Sequence, residues 1–326
     1  MVAFGRDGEQ PEASFFDCRD MVAKRARSLL AIAFFCCCLH STAWAKATRL
    51  IGSIGVHFVR DGDTLLDIAR DNGFGILELM AANPGVDPWV PESGLLLLLP
   101  SHRVIPDAPE RGMVINLSER RLYLFDDGGS ENVRSWPIGI GRFGFTTPLG
   151  KTKIVRKAMD PVWRPTPEMR AESPDLPAAV PAGPDNPLGK YALYLGWQYY
   201  AVHGTNKPWG IGRQISRGCI RLYPEDIADV FQVVDVGMKV TVVDQPVKLG
   251  WKDGRLYLEI HPSRAQLSAL ESEGKFQTES YDGLMASVEA AAGEHKNKLN
   301  RSAVSRAERE RLGVPVAVST PVGSAQ

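Results

Sequence analysis

"HGTNKPWGIGRQISRGCIRLYPEDI", residues His203–Ile227, decides how the second half of the chain is read. Cys219 stands between Gly218 and Ile220, with Arg217 and Arg221 one step further out. Ser216, Arg217, Gly218 and Arg221 make a poor apolar core, so the thiol reads as available for chemistry. A thiol attacks as thiolate and needs a base or positive surroundings. His203 ends the apolar run "YYAVHG", and Pro208, Gly210 and Gly212 lie between it and Cys219. A segment of that kind can double back and bring a strand-end imidazole within the roughly 3 Å that proton transfer requires. Gly218 lets a substrate carbonyl approach, and the Gly218 and Cys219 amides are candidates for an oxyanion hole. The spacing alone equally permits a buried structural cysteine and a histidine with a local hydrogen bond. Downstream, Pro224 suits a first helical position and Glu225 and Asp226 its first turn. Ile227, Val230, Phe231 and Val234 share one face, and Gly237 is expected to close the helix.

The cysteine inventory sharpens the question. Of five cysteines, Cys18, Cys36, Cys37 and Cys38 lie in the first 45 residues. There Lys24, Arg25 and Arg27 precede an apolar run from Leu29 to Leu39, followed by Ala43-Trp44-Ala45. This is the layout of a secretory signal peptide over residues 1–45, with Met21 as an alternative start. The run is short of the roughly 20 apolar residues of a bilayer span, so stable membrane insertion after cleavage is not expected; an uncleaved anchor is the alternative. After cleavage Cys219 is the sole cysteine, and an internal disulfide is impossible. The 38 basic and 38 acidic residues cancel, which gives no argument for a nucleic-acid partner.

The segment from His57 to Pro100 carries a strand, two short helices and a second strand. His57-Phe58-Val59 is a strand candidate, Asp63 or Thr64 can cap a helix through Leu65, Ile68 and Ala69, and Ile76, Leu79, Met80 and Ala81 form a second helix. Leu95–Leu99 is the closing strand. The residues Gly62-Asp63-Thr64-Leu65, Ile68-Ala69, Leu79, Ala82-Asn83-Pro84 and "LLLLLP" resemble a LysM module over residues 54–101. That resemblance implies binding of peptidoglycan. A small α+β domain without a ligand is the other reading.

"SHRVIPDAPE" (101–110) reads as a linker. Strand candidates then follow at 113–117, 121–125 and 133–138, with turns at 118–120 and 126–132. Residues 160–190 contain eight prolines and little periodicity, and a stretch like that is usually functional or disordered. Trp163 and Arg164 within it are candidates to face a substrate. "YALYLGWQYYAVHG", "KVTVVD" and "GRLYLEIHP" return to strand. The stretch beyond residue 272 is expected to be helical or disordered, ending in a disordered "VPVAVSTPVGSAQ".

"HGTNKPWGIGRQISRGCIRL", with "TTPLGK" and "GPDNPLG", resembles the signature of YkuD-type L,D-transpeptidases over about 112–243. With the LysM-like segment and "GWKDGRLYLEIHP", the likeness extends to the ErfK/YbiS/YcfS/YnhG branch. It implies a mainly β catalytic domain at 110–245, a YkuD-like β-sandwich with short helices, beside the small α+β LysM domain and a β extension at 246–272. It further implies Cys219 as nucleophile, His203 as base oriented by a carbonyl near Gly204, and Gly218 as part of the oxyanion site. Arg221, Ser216, Arg217 and Trp163 are candidates to touch substrate or support the loop. The family often has a second histidine where this chain has Arg217. No metal and no organic cofactor is implied, and His261 lacks metal-ligand spacing. The implied setting is the periplasm, with peptidoglycan and an outer-membrane lipoprotein as partners. A hydrolase of the same fold, and a non-catalytic wall-binding protein, are the alternatives.

Overall fold

Short β-branched and aliphatic runs, punctuated by glycine and proline, give a structure dominated by strands. The computed structural model describes residues 49–125 and 132–322; the expected signal segment, and all but Asn132 of the turn at 126–132, lie outside the described residues. In chain order the strands are β1 (Leu50–Ile51), β2 (Gly55–Phe58), β3 (Leu96–Leu99), β4 (Arg103–Val104), β5 (Gly112–Asn116), β6 (Arg121–Phe125), β7 (Val133–Pro137), β8 (Ile140–Gly141) and β9 (Gly150–Met159). They continue with β10 (Tyr191–Leu195), β11 (Ala201–His203), β12 (Gln214–Ser216), β13 (Ile220–Arg221), β14 (Lys239–Val243), β15 (Val247–Lys252), β16 (Arg255–Ile260) and β17 (Val316–Ala317).

Eight of these form one mixed sheet in the order β13-β11-β10-β9-β14-β5-β6-β7. The expectation of a mainly β catalytic domain with short helices is met. Two pairs are parallel, β14 with β5 and β11 with β13. Parallel neighbours require a crossover, and residues 204–219 supply it between β11 and β13. The Gly/Pro-rich turn between His203 and Cys219 is therefore a topological necessity of this sheet. Met113, Val114 and Ile115 on β5 are all fully buried, as befits a strand covered on both faces. One face carries the main core, into which the helix Pro224–Val233 sinks Ile227 and Val230. That helix ends at Val233, four residues before the expected stop; Gly237 instead serves a left-handed turn into β14.

The N-terminal module has the expected order, with β2 and β3 antiparallel around the helices Leu65–Asp71 and Ile76–Ala82. Thr64 caps the first helix by accepting from the Asp67 amide.

Its independence is corrected. Leu267 and Leu270, from the helix Arg264–Glu273, lie in the same core as Leu65, Leu79 and Leu97. Glu78 bonds both Arg103 (2.5 Å) and Arg121 (2.8 Å), three side chains almost wholly enclosed. Both guanidinium groups also face the Phe74 ring, at 5.4 and 5.9 Å. Tyr223 donates to the Phe74 carbonyl, and Arg70 clasps Glu225 at the surface. The segment read as a linker is likewise built in: β4 pairs with β1, and Ile105 packs with Val114, Tyr123 and Phe125.

The expected disordered ending is also overturned. Helices Leu284–Ala292 and Arg301–Glu310 bury Leu284, Val288, Val304 and Ala307 against β16 and its neighbours, and β17 pairs with β16. The apolar positions were present, but diluted among Ala, Glu, Lys and Arg. Residues 160–190 hold a capped helix, Pro167–Glu172, and a two-way backbone bridge between Trp163 and Val180.

Candidate active site

Strand register sets the first geometry of the site. His203 stands opposite Ala192 on β10 and Arg221 on β13, while Tyr194 stands opposite Ala201. Opposed residues share a face, so His203 and Arg221 project together. Cys219 immediately precedes β13 and opens on the same cleft, a cavity of about 820 Å³.

His203 is 3% exposed, and its Nδ1–H donates to the Gly204 carbonyl at 2.6 Å. That bond fixes the tautomer and leaves Nε2 as an acceptor. Burial, with the Arg221 charge behind it, pushes the imidazole down to about 3. Burial pushes the Cys219 thiol up, partly offset by the Ala201 amide and Arg221. The resting pair is therefore a neutral thiol and a neutral imidazole. The thiol donates to the Tyr199 carbonyl at 3.4 Å, from a residue held at φ 68°. Sequence reasoning missed Tyr199, because left-handed backbone at a tyrosine has no sequence signal.

The loop before the thiol is tied from inside. Ser216 Oγ donates to the Cys219 carbonyl at 2.6 Å and accepts the Gly218 amide at 3.1 Å. Ser216 thus ties the loop, and the Gly218 amide, read from sequence as a candidate for the oxyanion site, is already committed to it. The Cys219 amide remains a candidate. Thr147, in "TTPLGK", donates to the Gly218 carbonyl at 2.8 Å. Gly218 is required as glycine: its φ is 102°, and a Cβ would sit 2.7 Å from Cε1 of Tyr200. Backbone bonds in both directions between Gly139 and Arg221 hold the outer side of β13.

The remaining candidates separate. Arg221 is largely enclosed, its Nε without a partner among the described residues, and desolvation lowers its pKa. Arg217 pairs instead with Glu172 and lies over Phe145, so the cation acting on the thiol is Arg221. Trp163 lines the cleft with Arg164 and Met169, which makes the proline-rich segment a wall of the site.

Away from the cleft, Glu119, Glu259 and His261 bring ligand-type atoms within 4.8 Å of one another. The distance of Glu119 from the other two in sequence hid this cluster. Lys248 Nζ lies 2.6 Å from Glu119 and 2.8 Å from Glu259, filling the place a metal ion would take.

A buried, tautomer-fixed histidine in one cleft with a thiol on a glycine-held loop agrees with the comparisons. Residues 110–242 match the family model described as the YkuD L,D-transpeptidase catalytic domain. "Probable L,D-transpeptidase YbiS" of Escherichia coli K12 is 39% identical over 307 residues, covering 90% of this chain and 98% of that protein. "Probable L,D-transpeptidase ErfK/SrfK" of Salmonella typhimurium is 42% identical over 239 residues, 71% of this chain and 77% of its own length. The chain belongs to the YkuD-type L,D-transpeptidase family. As a member of that family it is an enzyme, with transpeptidation as its activity. The YkuD match runs from β5 to the penultimate residue of β14, hence through the eight-stranded sheet, and its chemistry-bearing residues fall in the final third of that match. No helix among the described residues of this L,D-transpeptidase is long and apolar enough to cross a membrane.

Proposed function

We propose that the chain is an exported transpeptidase of the periplasm that acts on peptidoglycan stem peptides through a thioester on Cys219. The observation that carries the reading is His203 Nδ1–H bound to the Gly204 carbonyl, which leaves Nε2 free to take a proton in the cleft that holds Cys219. Because thiol and imidazole are both neutral at rest, deprotonation accompanies attack. Cys219 Sγ bonds to the carbonyl carbon of the L,D peptide bond after the third residue as its proton passes to His203 Nε2. The Cys219 amide donates to the oxyanion that develops. The C–N bond then breaks, the imidazolium returns the proton to the leaving amine of D-alanine, and a thioester remains. An acceptor amine attacks the thioester carbon, gives a proton to His203, and expels the thiolate, which His203 reprotonates. Arg221, an enclosed cation without a carboxylate partner among the described residues, binds a substrate carboxylate. The N-terminal LysM-like module holds the enzyme on peptidoglycan.

The acceptor is a second stem peptide or a lysine of an outer-membrane lipoprotein. Water in the same position would make the enzyme a hydrolase. Mass spectrometry of purified sacculi incubated with the mature protein distinguishes these: new cross-links or attached lipoprotein support transfer, and released lipoprotein supports hydrolysis. An unchanged sacculus, with Cys219→Ala behaving identically, refutes the catalytic reading and favours a wall-binding protein.

A further inference from the structure

Arg156 lies in the catalytic cleft, yet neither the sequence motif nor the mechanism uses it. The registers of β9 with β10 and β10 with β11 set Arg156, Tyr194 and Ala201 side by side, and Cys219 continues that row just ahead of β13. All four line the cleft. The Arg156 guanidinium is stacked 3.5 Å from the centroid of the Tyr194 ring. Stacking of this kind holds the planar group by its face and leaves its N–H edge open for a carboxylate. In the adjacent row Ala158 and Ala192 lead to His203.

The charge of the cleft points to the same ligand class. Arg156, Arg164 and Arg221 line it without an ion-pair partner among the described residues, while Arg217 and Arg142, also in the lining, act on Glu172. Glu168 is the acid that lines it, and its carboxylate is engaged by Thr166 and by its own backbone amide.

The spacing identifies where the carboxylate belongs. Adjacent strands are about 4.8 Å apart, so a guanidinium over β10 lies roughly 10 Å from the Cys219 backbone on the β13 side. An extended peptide covers that distance in about two or three residues, at roughly 3.3–3.6 Å each. Resting on the proposed reaction, in which the leaving group is a single terminal residue, a group that far away belongs to the acyl half of the donor. We propose that Arg156, held on Tyr194, is a specificity residue that binds a free carboxylate on the donor peptide, on the residue preceding the one that is acylated.

The test is titration calorimetry on the full mature chain carrying Cys219→Ala, which binds without turnover. Two synthetic tetrapeptides are compared, identical except that the second residue carries a carboxylate in one and a carboxamide in the other. The carboxylate peptide is expected to bind about tenfold more tightly or better. Adding Arg156→Gln brings the ratio close to one, and Arg156→Lys leaves it intermediate. Arg156 is exposed, and thermal melting of each variant checks the fold. Equal binding of the two peptides, no binding of either, or a ratio that survives Arg156→Gln overturns the proposal. Turnover by the wild-type enzyme is read separately: failure to cleave either peptide refutes the transpeptidase reading, while the binding ratio still decides the role of Arg156.

Discussion

Replacing Glu78 by glutamine should destabilise the whole protein, not only the small module that contains it. Glu78 is the anion shared by Arg103 and Arg121, and all three side chains are at most 9% exposed. Glutamine preserves shape and one acceptor but leaves two enclosed guanidinium groups around Phe74 without their counter-charge. Removing one partner from a buried ion pair typically costs about 3–5 kcal/mol. The retained amide oxygen favours the lower end, about 3 kcal/mol, or a fall of roughly 6–12 °C in Tm for a chain of this size. Glu225→Gln is the internal control. It breaks the Arg70 pair between the same two regions, but those side chains are 41% and 52% exposed, and such pairs contribute about 0–1 kcal/mol. Urea unfolding would be followed by tryptophan fluorescence and, in parallel, by the reactivity of Cys219. Because the module and the C-terminal helix share a core, both probes should move together. A Glu78→Gln change no larger than that of Glu225→Gln, or two separated transitions, would refute the argument.

The acid limb of stability should belong largely to His203. Its folded value of about 3 lies below the ordinary 6.5, so between these pH values the unfolded chain takes up a proton that the native site refuses. The stability is complete above pH 6.5 and is lost as pH falls toward 3, on the order of 4–5 kcal/mol for the full depression; denaturation curves of His203→Phe should be flatter across that window. His203→Ala should slow alkylation of Cys219 near neutral pH by about 10²–10⁴-fold, with Arg217→Ala much milder because its Glu172 pair is at the surface; the reverse order would reassign the base. Gly218→Ala should abolish turnover through the forbidden φ and the Tyr200 clash, and a variant that keeps more than a tenth of wild-type kcat/KM would show that the loop is not held as described. By family resemblance, a carbapenem should acylate Cys219 and add its mass to the peptide spanning Gly218–Ile220; Cys219→Ser should take no adduct, and an unmodified wild-type protein would count against the nucleophile.

Much of the site could be read from the sequence because it is local. His203, Ser216, Gly218, Cys219 and Arg221 fall within one stretch, and the crossover between β11 and β13 needs the glycines and prolines seen there. The strand runs were legible for the same reason. Contacts made over long separations were not. Glu119 meets Lys248 and Glu259 only after folding, and Glu78 meets Arg121 only because the module is docked. The Gly218 amide looked free in sequence, yet Ser216, two residues away, claims it. Arg217 and Arg221 looked equivalent, and only the fold separates them: Arg221 stands on β13 by the thiol, while Arg217, in the loop between β12 and β13, reaches Glu172.

The helix Arg264–Glu273 has a consequence for the order in which the protein is made. Leu65 and Leu267 meet in one core, although about 200 residues of chain separate them. Polypeptide emerges from a ribosome or an export channel N-terminus first, so the module appears long before the helix that completes it. Until then its apolar face stays uncovered, and contacts this distant in sequence form slowly. The first-made part of the protein thus waits on one of the last, and a chain interrupted before residue 264 would present an unfinished apolar surface to any quality-control protease.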